Sequence, residues 1–442
     1  MATAKTQKEI QAEIQKLRAK IERKHKKTPE QLYEEREKRI LDAVQLKVPD
    51  RVPVIFGGTF FACKYAGLPY SAAYYDAPAW KEAYKKMMID LEPDAYGSAI
   101  GDSGRALEAI ETNYIRWPGG PLPENVAFQI IEHEYMKEDE YDLFLADPSD
   151  YIVRVWLPRV YGIMQPLTKL PPLMSIGPYN LSALTTLFAT PEFAKLAKAM
   201  KKSGQEEIKW RRELGDFNSE MTSLGFPRDI PAWGGVQPPF SGFTNSFRTW
   251  TCVAKDMFRR PEKLKAALGK MLEYNIARAT PAVRQAGRPT IGTSGEPHRV
   301  SDEFMSPKQF ETFVWPYWKK AIEKTFELGY DIVSMFFEGR RDKQLEYINE
   351  FPDKRFMIRF AETDIFKAKE VLGKHTCIMG NVPITLLQIG SPSEVEDYCK
   401  KLIKVCGKDG GFILRCTTDY TQEARPENVK AMIDSAKKYG RY

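Results

Sequence analysis

The runs KRFMIRFAE (354–362), HTCIMGNVP (375–383) and GGFILRCTTD (410–419) decide how this chain is read. Each is a short block of β-branched, aromatic or aliphatic residues that breaks at Gly, Pro or a polar cluster. Continuous apolarity, as opposed to alternation, marks strands buried on both faces, and such strands are parallel. Amphipathic stretches follow the last two, PSEVEDYCKKLIKVCG (392–407) and PENVKAMIDSAKKYG (426–440). Pro392 and Pro426 stand at helix starts, where a missing N–H costs little, and Gly407 and Gly440 stand at the stops.

Working outward, the same signature recurs in RVPVIFGG (51–58), PLMSIGPYN (172–180), RPTIGTSGE (288–296) and DIVSMFFEG (331–339), with a further strand expected near 94–100. SPKQFETFVWPYWKKAIEKTFELG (306–329) reads as one helix. Repeated strand–helix units predict an α/β fold, a (β/α)8 TIM-type barrel, with chemistry on the loops that follow the strands. Residues 1–46 read as an N-terminal helical extension and 47–442 as the barrel. In the extension, Ile10, Ile14, Leu17 and Ile21 form a narrow apolar stripe, and a second helix is expected over Glu30–Val44.

Composition excludes several classes. With 43% hydrophobic and 28% charged residues, the 442-residue chain is neither disordered nor fibrous. The net charge is +7, but residues 1–40 hold 12 Lys or Arg against 7 Glu, leaving +2 for the remainder. A basic nucleic-acid face on the body is therefore not expected. The 6 cysteines include no Cys-x-x-Cys pair, and no stretch reads as a signal peptide or a membrane span, so a cytoplasmic protein is expected. No GxxxxGK[ST], GxGxxG, GxSxG or HExxH occurs, which argues against nucleotide, nicotinamide, serine-hydrolase and metalloprotease chemistry.

The residues just past the apolar runs are unusually polar: Thr59, Asp102, Asn180, Glu296 with His298, Glu338, Glu362 with Asp364, Asn381, and Cys416 with Asp419. In a barrel they converge on one mouth. Glu296-Pro297-His298 is the sharpest feature, because a carboxylate and an imidazole two residues apart serve as acid and base or share a metal. Asp364 also suits a helix N-cap. His375-Thr376-Cys377 has half a zinc-site spacing, but its thiol falls too early in its strand and reads as buried. WGGVQPPFSGFTNSFRTW (233–250), with Phe243 at its centre, fits neither period and reads as a long aromatic loop suited to a flat ligand.

These stretches resemble the uroporphyrinogen decarboxylase superfamily. EEREKRILDAVQLKVPDRVPV (34–54) is similar to that family's opening, and residues 363–414, with GNV at 380–382 and GGFIL at 410–414, are similar to its last third. The likeness extends over about residues 34–440 and implies the same barrel. The arginine motif that holds porphyrin carboxylates in the decarboxylases is absent from FGGTFFACKYAGLPYSAAYYD (56–76). The resemblance therefore points to the corrinoid-dependent methyltransferase branch. Its thiol-methylating members place a His-x-Cys zinc motif where this chain has Phe336, Phe337 and Glu338. What remains resembles an O-demethylase, moving a methyl group from a methoxylated aromatic to the corrinoid of a partner protein. A zinc-dependent thiol methyltransferase is the alternative, and a decarboxylase a more distant one. The expected catalytic residues are Glu296, His298, Asp102 and Glu338; Arg359, Asn381, Asn180 and Phe243 are expected to bind substrate. Zinc is left open, with His298, Glu338 and Cys416 as candidate ligands. The expected partners are a corrinoid protein and a small methoxylated substrate, without nucleic acid or membrane, and a homodimer is left open.

Overall fold

The computed structural model describes residues 7–97, 103–179, 181–229, 234–295 and 299–442. Strands β1 (Ile55–Phe56) and β2 (Ala95–Tyr96) pair in parallel, and β3 (Ile115–Arg116) and β4 (Gln129–Ile130) form a short antiparallel ribbon. The rest of the strand structure is one five-stranded parallel sheet in sequence order, β5 (Ile291–Thr293), β6 (Ile332–Phe337), β7 (Phe356–Phe360), β8 (Thr376–Val382) and β9 (Phe412–Cys416). Every residue of β7, β8 and β9 is buried, as continuous apolarity requires. Single bridges extend both ladders. Leu414 N donates to Pro53 O at 2.9 Å, linking β9 to the chain before β1, and Tyr96 N donates to Pro227 O at 3.1 Å on the far side of β2.

Two expected elements are different. PLMSIGPYN forms no strand: Leu173–Ser175 is a single 3-10 turn with Met174 88% exposed. Pro171 and Pro172 have no N–H to give a ladder, so local apolarity there does not become a sheet. The helix expected over 306–329 is two, Pro307–Phe313 and Trp315–Glu327. Pro316 has no N–H for the Thr312 carbonyl, and the helix restarts around it. The helices Pro392–Cys406 and Pro426–Tyr439 open on the expected prolines, the first with a capping box between Ser391 and Glu394.

The first two helices are α1 (Gln7–His25) and α2 (Pro29–Val44), the second capped by Thr28 and Gln31. The α1 stripe is used as its spacing implies, with Ile14 and Ile21 buried and Ile10 and Leu17 against the core. From α2, Ile40, Ala43 and Val44 join one apolar cluster with Ile55, Ala95, Ile291, Ile332, Met357, Cys377, Met379 and Ile413. Each of the seven parallel strands contributes to it, so α2 plugs the space enclosed by the strands' early residues.

Charge locks this plug in place. Arg39 of α2 donates to Asp94 at 2.6 Å and, through two nitrogens, to Asp50; Arg51 donates to both Asp94 oxygens, and Val54 N adds a bond at 2.9 Å. Burial alone would raise the Asp94 carboxyl, but Arg51 and Arg39 overcome it and hold it below its ordinary value. A carboxylate depressed in the folded state binds fewer protons there than when unfolded. Its stabilisation is complete above the unfolded value of about 3.9 and is lost as pH falls toward the lower folded one. Urea midpoints are therefore expected to hold down to pH 5 and fall below pH 4, with a shallower fall in Asp94→Asn. Among the described residues no helix is long and apolar enough to cross a membrane.

Candidate functional site

A cleft of about 1120 Å³ opens where the parallel strands end. Its floor follows from strand geometry, since residues two apart share a face. Along β6, Ser334, Phe336 and Glu338 succeed the plug residue Ile332; Arg359 succeeds Met357, Met379 succeeds Cys377, and Arg415 succeeds Ile413. The inward rows of β6, β7 and β9 thus change from apolar at the start to polar at the end, while that of β8 stays apolar at Met379.

Four charges dominate the floor. Asp419 receives Arg359 Nη1 at 2.7 Å on one carboxylate oxygen and Arg415 Nη2 at 2.9 Å on the other. Arg415 also donates to Asp229, while Arg359 donates to Cys416 O at 3.1 Å and lies 4.9 Å from the Phe336 ring centroid. Burial opposes ionisation of Asp419, yet Arg415 and Arg359 hold it well below the usual carboxylate range. The Arg359 Nε is buried without a partner among the described residues. Beside this group stands Tyr420, whose phenol is pushed above its ordinary value by burial and then by the charges of Glu338 and Asp419.

The structure brings some expected residues to this cleft and engages others elsewhere. Glu338 and Arg359 line it, as do Thr59 and Asp419. Arg359 takes its carboxylate from Asp419, not from Glu362 or Asp364. Asn381 is a brace: its Nδ2 donates to Ala361 O and Thr363 O at 3.2 Å, its Oδ1 accepts from Tyr398 at 3.1 Å, and it does not line the cleft. Phe243 is fully buried, stacked on Phe247 at 5.7 Å. The stretch expected as a loop contains the helix Pro239–Ser246, which turns Phe240 and Phe243 to the core and Ser241 and Asn245 to the cleft. Phe247, just beyond it, does face the cavity. Asp364 is the N-cap of Ile365–Leu372, accepting from Phe366 N and Lys367 N. Glu296, Pro297, His298, Asp102 and Asn180 lie outside the described residues, although Gly295, next to Glu296, lines the cleft.

The metal candidates divide similarly. Cys416 is buried, its Sγ donates to Thr418 O at 3.0 Å, and burial raises its pKa despite Arg359 nearby. A thiol disfavoured as thiolate is a poor ligand. Among the described residues no three His, Cys, Asp or Glu side chains gather where they could hold a metal. His375 pairs with Asp353, and Cys377 sits in the plug cluster with burial pushing its thiol up to about 12.

Arg415 and Asp229 are the residues that sequence reasoning missed. The alternation Ile413–Arg415 carried the signal for the first. Asp229 sits in an irregular segment paired with β2 by one bridge, where no periodicity marks it.

This architecture, a parallel sheet with a polar cleft beyond its strand ends, coincides with a known family. The model of the uroporphyrinogen decarboxylase (URO-D) family matches residues 220–439. The match leaves out residues 34–219, where the resemblance rested on 34–54 and on scattered segments. In overall shape the chain is similar to a solved structure described as a methyltransferase from Methanosarcina mazei. The two share 17% identity at a TM-score of 0.53, covering 91% of this chain and 98% of that one. At that identity the likeness concerns the fold. No curated protein matches the chain.

Proposed function

We propose that the chain is an O-demethylase-type methyltransferase of the URO-D superfamily, passing the methyl group of a methoxylated aromatic to a corrinoid protein. The observation that carries this reading is the cleft itself: a large cavity with an aromatic wall whose two floor arginines, Arg359 and Arg415, are already matched by carboxylates, leaving Arg278, over the Tyr274 ring, as the third arginine of its lining. A porphyrin bearing several carboxylates needs uncommitted cations, whereas Arg359 and Arg415 are engaged by Asp419 and Asp229. A neutral ring meets no such conflict, and Phe336, Phe128 and Phe247 offer it edges and faces. A fold shared with a methyltransferase from Methanosarcina mazei is consistent with this reading.

The bridges flanking β1 and β2, together with a plug touched by seven strands, support a closed eight-strand barrel in which residues 227–229 form the eighth stave. We take residues 1–46 as the helical extension that closes its base and 47–442 as the barrel.

A reduced corrinoid on the partner supplies the nucleophile for the methyl carbon. This chain's task is then the departing oxygen, an alkoxide or phenolate that leaves poorly at neutral pH. Glu338, at the end of β6, is placed to give that oxygen a proton, with Tyr420 beside it as a hydrogen-bond donor. Glu296, His298 and Asp102 are the further candidates for this role, and Asn180 for substrate contact. Arg359 holds Asp419 at the floor of the cleft, beneath bound substrate. Exposed Tyr114, Ile130 and Tyr420 form an apolar rim on which a flat corrinoid face can rest. The buried Cys416 and the scattered acidic groups do not fit a thiol-activating zinc site. The setting is a cytoplasm where the partner cobalt stays reduced.

The test is a screen of methoxylated benzoates with the protein and reduced free corrinoid, following its methylation by visible absorbance. At least one donor is expected to support transfer. Inactivity with every methoxylated donor, alongside activity on a thiol acceptor, would overturn the reading.

A further inference from the structure

A second pocket, of about 560 Å³, lies at the starts of β1 and β2, where α1 and α2 meet the helix Pro426–Tyr439. Six cationic side chains line it, Lys27, Arg36, Arg39, Arg51, Lys437 and Arg441, against the carboxylates Glu35, Asp50 and Glu92. Those carboxylates are already engaged. Asp50 takes Arg39, Glu35 takes Lys27 at 2.5 Å, and Glu92 takes Lys24 at 2.8 Å and His25 at 2.7 Å. Asp94, below the pocket, takes Arg39 and Arg51.

Two cations are left over, and a third, Lys437, is held only by a long ion pair. Arg36 is only 7% exposed, yet its one hydrogen bond runs from Nη1 to Gly225 O at 2.6 Å, with its guanidinium 4.2 Å from the Phe226 ring centroid. Among the described residues it has no carboxylate partner. Lys437 comes no nearer than 3.7 Å to Glu92, and Arg441 pairs with no described carboxylate. A buried guanidinium without a directly paired counter-ion is costly, and the charges of Asp94 and Glu92 offset its burial only in part. Its remaining donors face a cavity that exceeds the size of a lone phosphate.

We propose that this pocket binds a phosphate-bearing small molecule, a phosphate or diphosphate ester, through Arg36, Lys437 and Arg441. Arginine forks and a lysine around one cavity match the several oxygens and double charge of a phosphoryl group better than a single carboxylate. Because Arg36 belongs to α2 and the other two to the C-terminal segment, the ligand fastens the helical plug to the end of the chain. Binding to the folded state alone must then raise the melting temperature.

The experiment is thermal melting of the full-length protein at constant ionic strength with pyrophosphate, inorganic phosphate or succinate. At a hundredfold excess over Kd, pyrophosphate is expected to raise Tm by about 3 °C. Inorganic phosphate should act in the same direction, and succinate should not exceed the chloride control. Lys437→Gln with Arg441→Gln should abolish the shift. If that pair melts lower by itself, Arg441→Gln alone, at an exposed position, serves as the comparison and should reduce the shift. No pyrophosphate shift, an equal shift with succinate, or a shift that survives both substitutions would each overturn the proposal.

Discussion

Glu338→Gln is expected to slow methyl transfer by about 10²- to 10⁴-fold, the range that one positioned proton donor contributes. The amide keeps the shape and the hydrogen-bonding capacity of the carboxyl group but has no proton to release at neutral pH. Because Glu338 sits at the end of its strand in the cleft and not in the core, Tm should barely move. The loss should depend on the leaving group: donors that release an acidic phenol need little protonation and should lose least. A uniform loss across donors would instead assign Glu338 to binding. Rates for wild type, Glu338→Gln and Glu338→Asp over a series of ring-substituted methoxybenzoates separate these outcomes.

Arg415→Met is expected to be the most disruptive single change in the cleft, costing about 2–4 kcal/mol of stability, because removing one partner of a buried ion group leaves the others uncompensated. Arg415 is almost buried at 7% side-chain exposure and bridges Asp229 and Asp419. Without it Asp229 loses its guanidinium and Asp419 keeps only Arg359. The partial exposure of Asp419, 36%, keeps the expected cost below that of a fully buried pair. Adding Asp229→Asn should recover part of the loss, since the orphaned charge is removed along with its partner. Lowering the pH to 5 should narrow the gap between variant and wild type from the variant's side alone, because protonation relieves carboxylates left without Arg415, whereas Asp419 in the intact network is held well below the usual carboxylate range and stays ionised. Urea midpoints at pH 7 and pH 5 for the three proteins test this.

Much of the fold was legible because it depends on local rules. Strands buried on both faces must be continuously apolar, and Phe356–Phe360, Thr376–Val382 and Phe412–Cys416 stand where such runs occur. Helix starts at Pro392 and Pro426 were legible because proline fits the first turn and little else. The failures are also physical. Leu173–Ser175 has the apolarity of a strand, but the preceding prolines deny it a ladder. Pro239–Ser246 hid its helix because its glycine, prolines and serines weaken the pattern that the inward Phe240 and Phe243 still follow.

The site was legible in part. Glu338 and Arg359 line the cleft because an inward position at a strand end exposes a polar group there. Asn381 satisfied the same rule and failed, since nothing in the chain announces that two backbone carbonyls and Tyr398 would capture its amide. By itself, then, the sequence determined which stretches are buried strands, where several helices begin, and that acidic and basic groups collect beyond the strand ends. Only the tertiary structure decided which charges neutralise one another: that Asp229, far off in sequence, meets Arg415, and that Arg36 pairs with no carboxylate among the described residues. Hydrophobic periodicity is written within a few neighbouring residues, whereas a charge is defined by whatever the folded chain brings within about 4 Å of it.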